Sequence, residues 1–364
     1  MKKLLVFCLV VCTVVLSFAG CSQAPAATTA PDAAAAAEEA TQAPAAVEEA
    51  PQVGTIGVAF RRFDDTHITN IRNSMTDEAA VLGATMDAVD CQSSQTVEND
   101  KIDMFITKGY TAIGLILQEN SSGSTIIEKA KAAGNLPLVF FNQEPFAEDL
   151  KAYDNAYYVG AIASESGKMQ GTIMADYWEA NMETMDKNKD GILQYAMITG
   201  DLGTVDAVQR TEFSVKELEA RGIKVECVAQ DTAMWDRVKG QEKMQAFISA
   251  YGDKIEGVFA NNDDMALGAI EALKAAGYFT DGKFMPVIGV DATDAGKAAI
   301  ADGTMLGTVL NDAKTQGKAA MDLLYLLAKG EKPDANNYAY TITDGKYIWI
   351  PYVPVSKDNL ADFN

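Results

Sequence analysis

Residues 136–145 read LPLVFFNQEP. The apolar run Leu136–Phe141 has the length of a strand buried on both faces, and it stops at an amide, Asn142. The same rhythm recurs outward in both directions. Thr55–Phe60 leads to Asp65, and Leu193–Gly200 leads to Asp206 and Arg210. Lys224–Gln230 leads to Trp235, and Gly257–Ala260 to Asn262. Pro286–Val290 ends in Asp291, and Gly307–Leu310 in Asn311. Segments of helical periodicity lie between most of these runs, for example Ile68, Ile71, Met75, Ala79 and Leu82. Strands are further expected at Ala84–Cys91, Ala112–Leu117 and Tyr157–Gly160. Helices are expected at Ile126–Ala133, Glu165–Ala180, Ala207–Arg221, Arg237–Ala250 and Met265–Ala276.

Such alternation implies right-handed βαβ crossovers and parallel sheets. The strand count exceeds one ordinary sheet, so two sheets are expected, with a first crossing near Gly160-Ala161. The fold class is therefore α/β with two Rossmann-like, flavodoxin-like lobes. In such sheets ligands sit beyond the carboxyl ends of the strands, where the polar residues above collect.

Residues 1–20 are a processing segment. Lys2 and Lys3 precede the apolar run Leu4–Phe18, and Ala19-Gly20 precede Cys21. The run falls short of the ~20 residues that span a bilayer. The pattern is that of an exported lipoprotein, with Cys21 as the lipidated residue and the membrane reached through that anchor. Residues 21–52 are rich in Ala, Pro, Thr, Gln and Glu and form a tether with nothing to bury. Of the remaining cysteines, Cys91 and Cys227 fall in different βα units and are expected to be free buried thiols. A formal charge of −21 argues against nucleic acid and anionic membrane surfaces as partners.

The sharpest local motif runs from Asp186 to Gln194. Oxygen donors at Asp186, Asn188, Asp190, Ile192 and Gln194 alternate along a loop whose sixth residue is Gly191, the spacing that wraps calcium. The twelfth position is Met197, so a carboxylate from elsewhere must complete the shell.

Several fragments resemble the periplasmic galactose/glucose-binding proteins. They are Phe140–Pro145, Tyr157–Gly160, Asp231–Asp236, Ala260–Asp263, Gly289–Ala292, Gly307–Ala313 and Pro351–Val353, together with the calcium loop. The resemblance covers roughly residues 53–364. It implies the type I periplasmic binding protein fold, two lobes joined by three crossings with a sugar between them. Residues 53–160 with 312–349 would form the N-terminal lobe, and residues 161–311 with 350–364 the C-terminal lobe. It implies Glu256 as the missing calcium ligand. Sugar contacts would be Asp65 and Asn142 from the first lobe, Asp206, Arg210, Trp235, Asn262 and Asp291 from the second, and Asn311 at a crossing. Where the family has Phe this chain has His67, and where it has His this chain has Thr204. These two departures bear on which epimer is preferred.

The chemistry agrees. Sugar hydroxyls donate and accept, and carboxylates, amides and a guanidinium answer both roles. An indole offers a flat apolar face to sugar C–H groups. Each Asp or Asn at a strand–helix junction also has the chemistry of a helix N-cap. A sugar-acting enzyme is the weaker alternative: Asp65 with Asp206 or Asp291 could imitate a glycosidase pair, but strong nucleophiles are scarce, no P-loop pattern is present and nothing apolar is evident to raise a carboxylate pKa. The resemblance implies a glucose- or galactose-like monosaccharide as ligand and the membrane subunits of an ABC transporter as partners. The sequence does not decide between transport alone and transport with sensing, which would add a chemoreceptor as a partner.

Overall fold

The computed structural model describes residues 53–363. The signal segment, Cys21 and the whole of the tether lie outside the described residues. Ten strands run in chain order before the last helix: β1 (Ile56–Phe60), β2 (Met86–Asp90), β3 (Ala112–Leu115), β4 (Leu138–Phe141), β5 (Ala156–Gly160), β6 (Ile192–Thr199), β7 (Lys224–Thr232), β8 (Gly257–Ala260), β9 (Val287–Ile288) and β10 (Gly307–Leu310). Two follow it, β11 (Tyr347–Trp349) and β12 (Val353–Ser356).

They form two six-stranded sheets, ordered β11-β5-β4-β3-β1-β2 and β12-β10-β9-β8-β6-β7. The order reverses between β1 and β3 in the first sheet and between β6 and β8 in the second. These are the switch points at which a doubly wound sheet opens a crevice. The chain passes from the first sheet to the second after Gly160, returns after Leu310 and crosses a third time between Trp349 and Val353.

Alternation along each strand explains the layering. In the first lobe Ile56, Val58 and Phe60 share a core with Ile68, Ile71 and Met75 of helix Thr66–Leu82 and Leu323 and Leu324 of helix Ala313–Ala328. Ala59 faces the other way, toward Ile102 and Phe105 of helix Gln95–Thr107 and Ile126 of helix Gly123–Ala132. In the second lobe Ala196 and Ile198 pack with Met244, Met265 and Ile270, while Tyr195 and Met197 pack with Met174, Trp178 and Leu218. A register shift between Tyr195 and Ala196 interrupts the pairing of β6 with β7.

The structure differs from expectation at four places. Pro286–Val290 yields only the two-residue β9, although Gly289 N and Asp291 N still donate to the Gly307 and Val309 carbonyls, and the backbone then has positive φ at Asp291 (117°) and Ala292 (50°). Strands β11 and β12 were not anticipated, and β12 pairs antiparallel with β10. Helix Ala163–Met185 outruns its expected bounds and is interrupted by non-helical angles at Asn181. Cys91 is buried but Cys227 is exposed, because β7 is an edge strand with one face to solvent. Both thiols are free. Among the described residues no helix is long and apolar enough to cross a membrane.

Candidate functional site

A cavity of about 160 Å³ lies between the two sheets, at the carboxyl ends of β1, β4, β6, β8 and β10. Asp65, His67, Asn142, Asp206, Arg210, Trp235, Asn262, Asp291 and Asn311 all line it. A cavity of that size holds one six-membered ring. The roles of cap and lining residue coincide rather than compete. Asp65 Oδ1 accepts from Ile68 N (2.9 Å) and Asn262 Oδ1 from Met265 N (2.9 Å), so each starts a helix at the cavity wall.

Thr204 is the exception among the expected contacts. It is buried but does not line the cavity, because its Oγ1 donates to the Asp201 carbonyl (2.7 Å) and ties down the turn after β6.

Arg210 is held from three sides. Nη1 donates to the Asn261 carbonyl (2.7 Å), and Nη2 to Asp206 Oδ1 (3.0 Å) and Tyr352 Oη (3.0 Å). Its guanidinium carbon lies 5.6 Å from the Trp235 ring centroid. The indole fits because residue 200 is glycine: a Cβ there would stand 2.3 Å from the ring. Trp235 itself sits at φ 65° and Asn142 at φ 63°, so with Ser93, Met234 and Asp291 five lining residues have positive φ. Such conformations cluster where a fold presents side chains to a ligand.

The Asp291 turn is braced by a residue the sequence did not single out. Asp263 is fully buried and accepts from Thr293 N (2.8 Å), Thr293 Oγ1 (3.1 Å) and Thr308 Oγ1 (2.6 Å). Burial, with Asp291 nearby, pushes its carboxyl up to about 8.

His67 reaches across the cleft. Asn311 Oδ1 accepts from Gln316 Nε2, which turns Asn311 Nδ2 toward His67 Nε2 (3.0 Å) and Asp291 Oδ1 (3.3 Å). This network assigns the imidazole proton to Nδ1, 3.6 Å from Asp291 Oδ1. Burial lowers the His67 pKa to about 4, so the ring is neutral at pH 7. It presents a hydrogen-bonding edge where a phenyl ring would offer only a face.

Burial raises the carboxyls of Asp65 and Asp206, and pushes Asp291 up to about 8 against the pull of Arg210. The sequence offered no apolar wall to raise a carboxylate, and burial raises these carboxyls all the same. The cause is enclosure between the lobes rather than an apolar wall.

Arg61, Arg62, Gln143, Asp201 and Lys239 also line the cavity and were missed. Arg61 Nη1, Gln143 Oε1, Arg210 Nε and Trp235 Nε1 are buried there with no hydrogen-bond partner among the described residues. Buried polar atoms are seldom left so, and here both donors and an acceptor point at one small space.

The Asp186–Gln194 loop lies apart from this cavity, before β6. Asp186 Oδ2 accepts from Gly191 N (2.8 Å) and Asn188 Oδ1 from Asp190 N (3.0 Å), with Gly191 at φ 73° where a Cβ would be strained. Glu256 is buried against the loop, accepting from Lys187 N (2.7 Å) and Gln194 N (3.0 Å). Gln194 Oε1 is buried without a partner among the described residues. Among those residues no three carboxylate, imidazole or thiol side chains form a metal-binding group. The donor set is instead mixed carboxylate, amide and carbonyl oxygen, which suits a hard cation.

A family model described as a periplasmic binding protein domain matches residues 56–332. The D-galactose/methyl-galactoside binding periplasmic protein of Haemophilus influenzae is 40% identical over 310 residues, 85% of this chain and 91% of that one. The ribose import binding protein of Escherichia coli is 26% identical, over 77% of this chain and 87% of that one. Among solved structures, an ABC transporter solute binding protein from Bacillus halodurans with bound myo-inositol superposes with a TM-score of 0.73 at 27% identity, covering 86% of this chain and 98% of that one. These relatives bind solutes rather than transform them, and the chain belongs to the periplasmic binding protein family.

Proposed function

We propose that this chain is an exported sugar receptor. It encloses one glucose- or galactose-like monosaccharide between its lobes and delivers it to the membrane subunits of an ATP-driven importer. One observation carries the reading. Acidic, amide, guanidinium and indole side chains from both sheets converge on a cavity sized for a single six-membered ring. Asp65, Asp206, Asp291, Asn142, Asn262 and Asn311 supply acceptors and donors for hydroxyls, Arg210 a fixed donor fork, and Trp235 a face for C–H groups. Hinge closure is the signal the importer reads, and a chemosensory receptor would read the same closure. Mass spectrometry of small molecules released from the purified protein tests this. A hexose returned unchanged supports it, and a chemically altered product contradicts it.

Two finer features belong to the same proposal. Calcium, held by Asp186, Asn188, Asp190, Gln194, Glu256 and the Ile192 carbonyl, would offset the loop's carboxylate charge and pin the starts of β6 and β8 together. Gln194 Oε1, buried and unpartnered, supports that fit. Lipid on Cys21 would tether the receptor to the outer face of a membrane. Cys21→Ser should release it into the soluble fraction, and membrane retention of that variant would rule the anchor out.

A further inference from the structure

Besides the contacts of His67, three polar contacts among the described residues join the lobes directly, two of them through the cavity-lining Arg61 and Arg62. Arg61, immediately after β1, forms an ion pair through Nη2 with Asp201 Oδ2, just after β6. Beside it, Arg62 Nη2 lies 3.6 Å from Asp236 Oδ2. Asn120 Oδ1, after β3, accepts from Val205 N of the second lobe (3.1 Å). The first and third lie beyond strands that flank the two switch points, and Asp236 follows the edge strand β7.

Both partners of the central pair are set in advance. The Arg61 carbonyl accepts from Ser93 N (2.8 Å) and Gln118 Nε2 (3.3 Å), and its side chain is buried. Asp201 is fixed by its own turn: Oδ1 accepts from Gly203 N (3.0 Å), and its carbonyl accepts from Thr204 N (3.0 Å) and Thr204 Oγ1 (2.7 Å). The buried Arg61 guanidinium meets Asp201 through the single Nη2–Oδ2 contact, with its Nη1 left without a partner among the described residues. Arg61 also lines the cavity, so breaking the pair opens the wall against which a ligand rests.

We propose that Arg61 is a positioning residue: its ion pair with Asp201 latches the two lobes over the cavity and sets the rate at which ligand leaves. The latch is made of protein groups alone, so it biases the lobes toward closure whether or not a ligand is bound. The ligand consequence rests on the sugar-receptor reading; the closure consequence does not. A bias toward closure multiplies affinity by slowing release and leaves encounter nearly unchanged.

The experiment has two arms, run on the wild type, Arg61→Ala, Asp201→Asn, Arg61→Lys and the Arg61→Ala/Asp201→Asn double variant. Thermal melting first establishes that each variant is folded. In the first arm, small-angle scattering of sugar-free protein should give a larger radius of gyration for Arg61→Ala and Asp201→Asn than for wild type, with Arg61→Lys between. In the second, stopped-flow tryptophan fluorescence with the best-binding monosaccharide should show release faster by ~10-fold in either single variant, with association within about twofold. The double variant should match the singles, because one contact can be lost only once. Equal radii in wild type and Arg61→Ala overturn the latch, whatever becomes of the sugar reading. Additive release rates in the double variant also overturn it, since each residue would then be touching ligand independently. If no monosaccharide binds, the sugar reading fails and the scattering arm still decides the latch.

Discussion

Replacing His67 with Gln should change how the sugar-free protein responds to acid. The folded state holds His67 neutral with a pKa of about 4, because it is buried, whereas an unfolded chain would protonate it near 6.5. Between those values the unfolded state binds a proton that the folded state refuses. Stability therefore falls as pH drops from 6.5 toward 4. At pH 7.5 the penalty is negligible, and at pH 5 it amounts to about 2 kcal/mol, since each tenfold gap in proton affinity is worth about 1.4 kcal/mol. Asp263 and Asp291, both raised to about 8, act with the opposite sign: the folded state keeps their protons, and their contribution grows as pH falls. Both carboxylates remain in the variant, so they largely cancel in the comparison. Urea unfolding of wild type and His67→Gln at pH 7.5 and pH 5, with matched m-values, gives the difference directly. Wild type should lose about 2 kcal/mol more than the variant across that interval. Equal losses would show that the imidazole is solvated and charged in the folded state, and the assigned network through Asn311 and Gln316 would be wrong.

Gly200→Ala should keep the fold but weaken sugar binding at least tenfold, because the new methyl occupies the plane of the Trp235 indole; calorimetry with unchanged affinity would refute that packing. Asp263→Ala leaves three buried donors on Thr293 and Thr308 unpaired and should cost about 3 kcal/mol, read as a lowered urea midpoint. If calcium occupies the Asp186–Gln194 loop, chelator should lower the melting temperature of wild type, and Glu256→Gln should remove most of that response. A chelator-insensitive melt in protein shown beforehand to carry calcium would dismiss a structural ion.

Most of the strands were legible because buried parallel strands such as Leu138–Phe141 are unbroken apolar runs, each ending where chemistry begins. The two strands that escaped, Tyr347–Trp349 and Val353–Ser356, are three and four residues long and border Pro351 or contain Pro354. Too little periodicity survives there to read. The carboxylates and amides of the cavity were legible from their place at strand ends. Arg61 and Arg62 occupy the same kind of place, directly after β1, and that position was the available signal. What sequence does not reveal is that Arg61 meets Asp201, 140 residues away in the other lobe. Asp263 and Asp264 look alike as first-turn helix acids; only the three-dimensional approach of Thr293 and Thr308 separates the fully buried brace from its neighbour. Thr204 shows the converse: a position matched to a family contact proves to serve the turn beneath it.

The central claim is that this cavity closes on one monosaccharide. Titration calorimetry on ligand-stripped protein, with glucose, galactose, xylose, ribose and myo-inositol, tests it most directly. The account predicts one-to-one binding of at least one of the sugars, with Asp291→Ala weakening it by about 30-fold or more, as expected when a buried, hydrogen-bonded acid at a closing interface loses its ~2–5 kcal/mol. Heat from none of the monosaccharides, or from a ligand whose affinity is indifferent to Asp291→Ala, would contradict it.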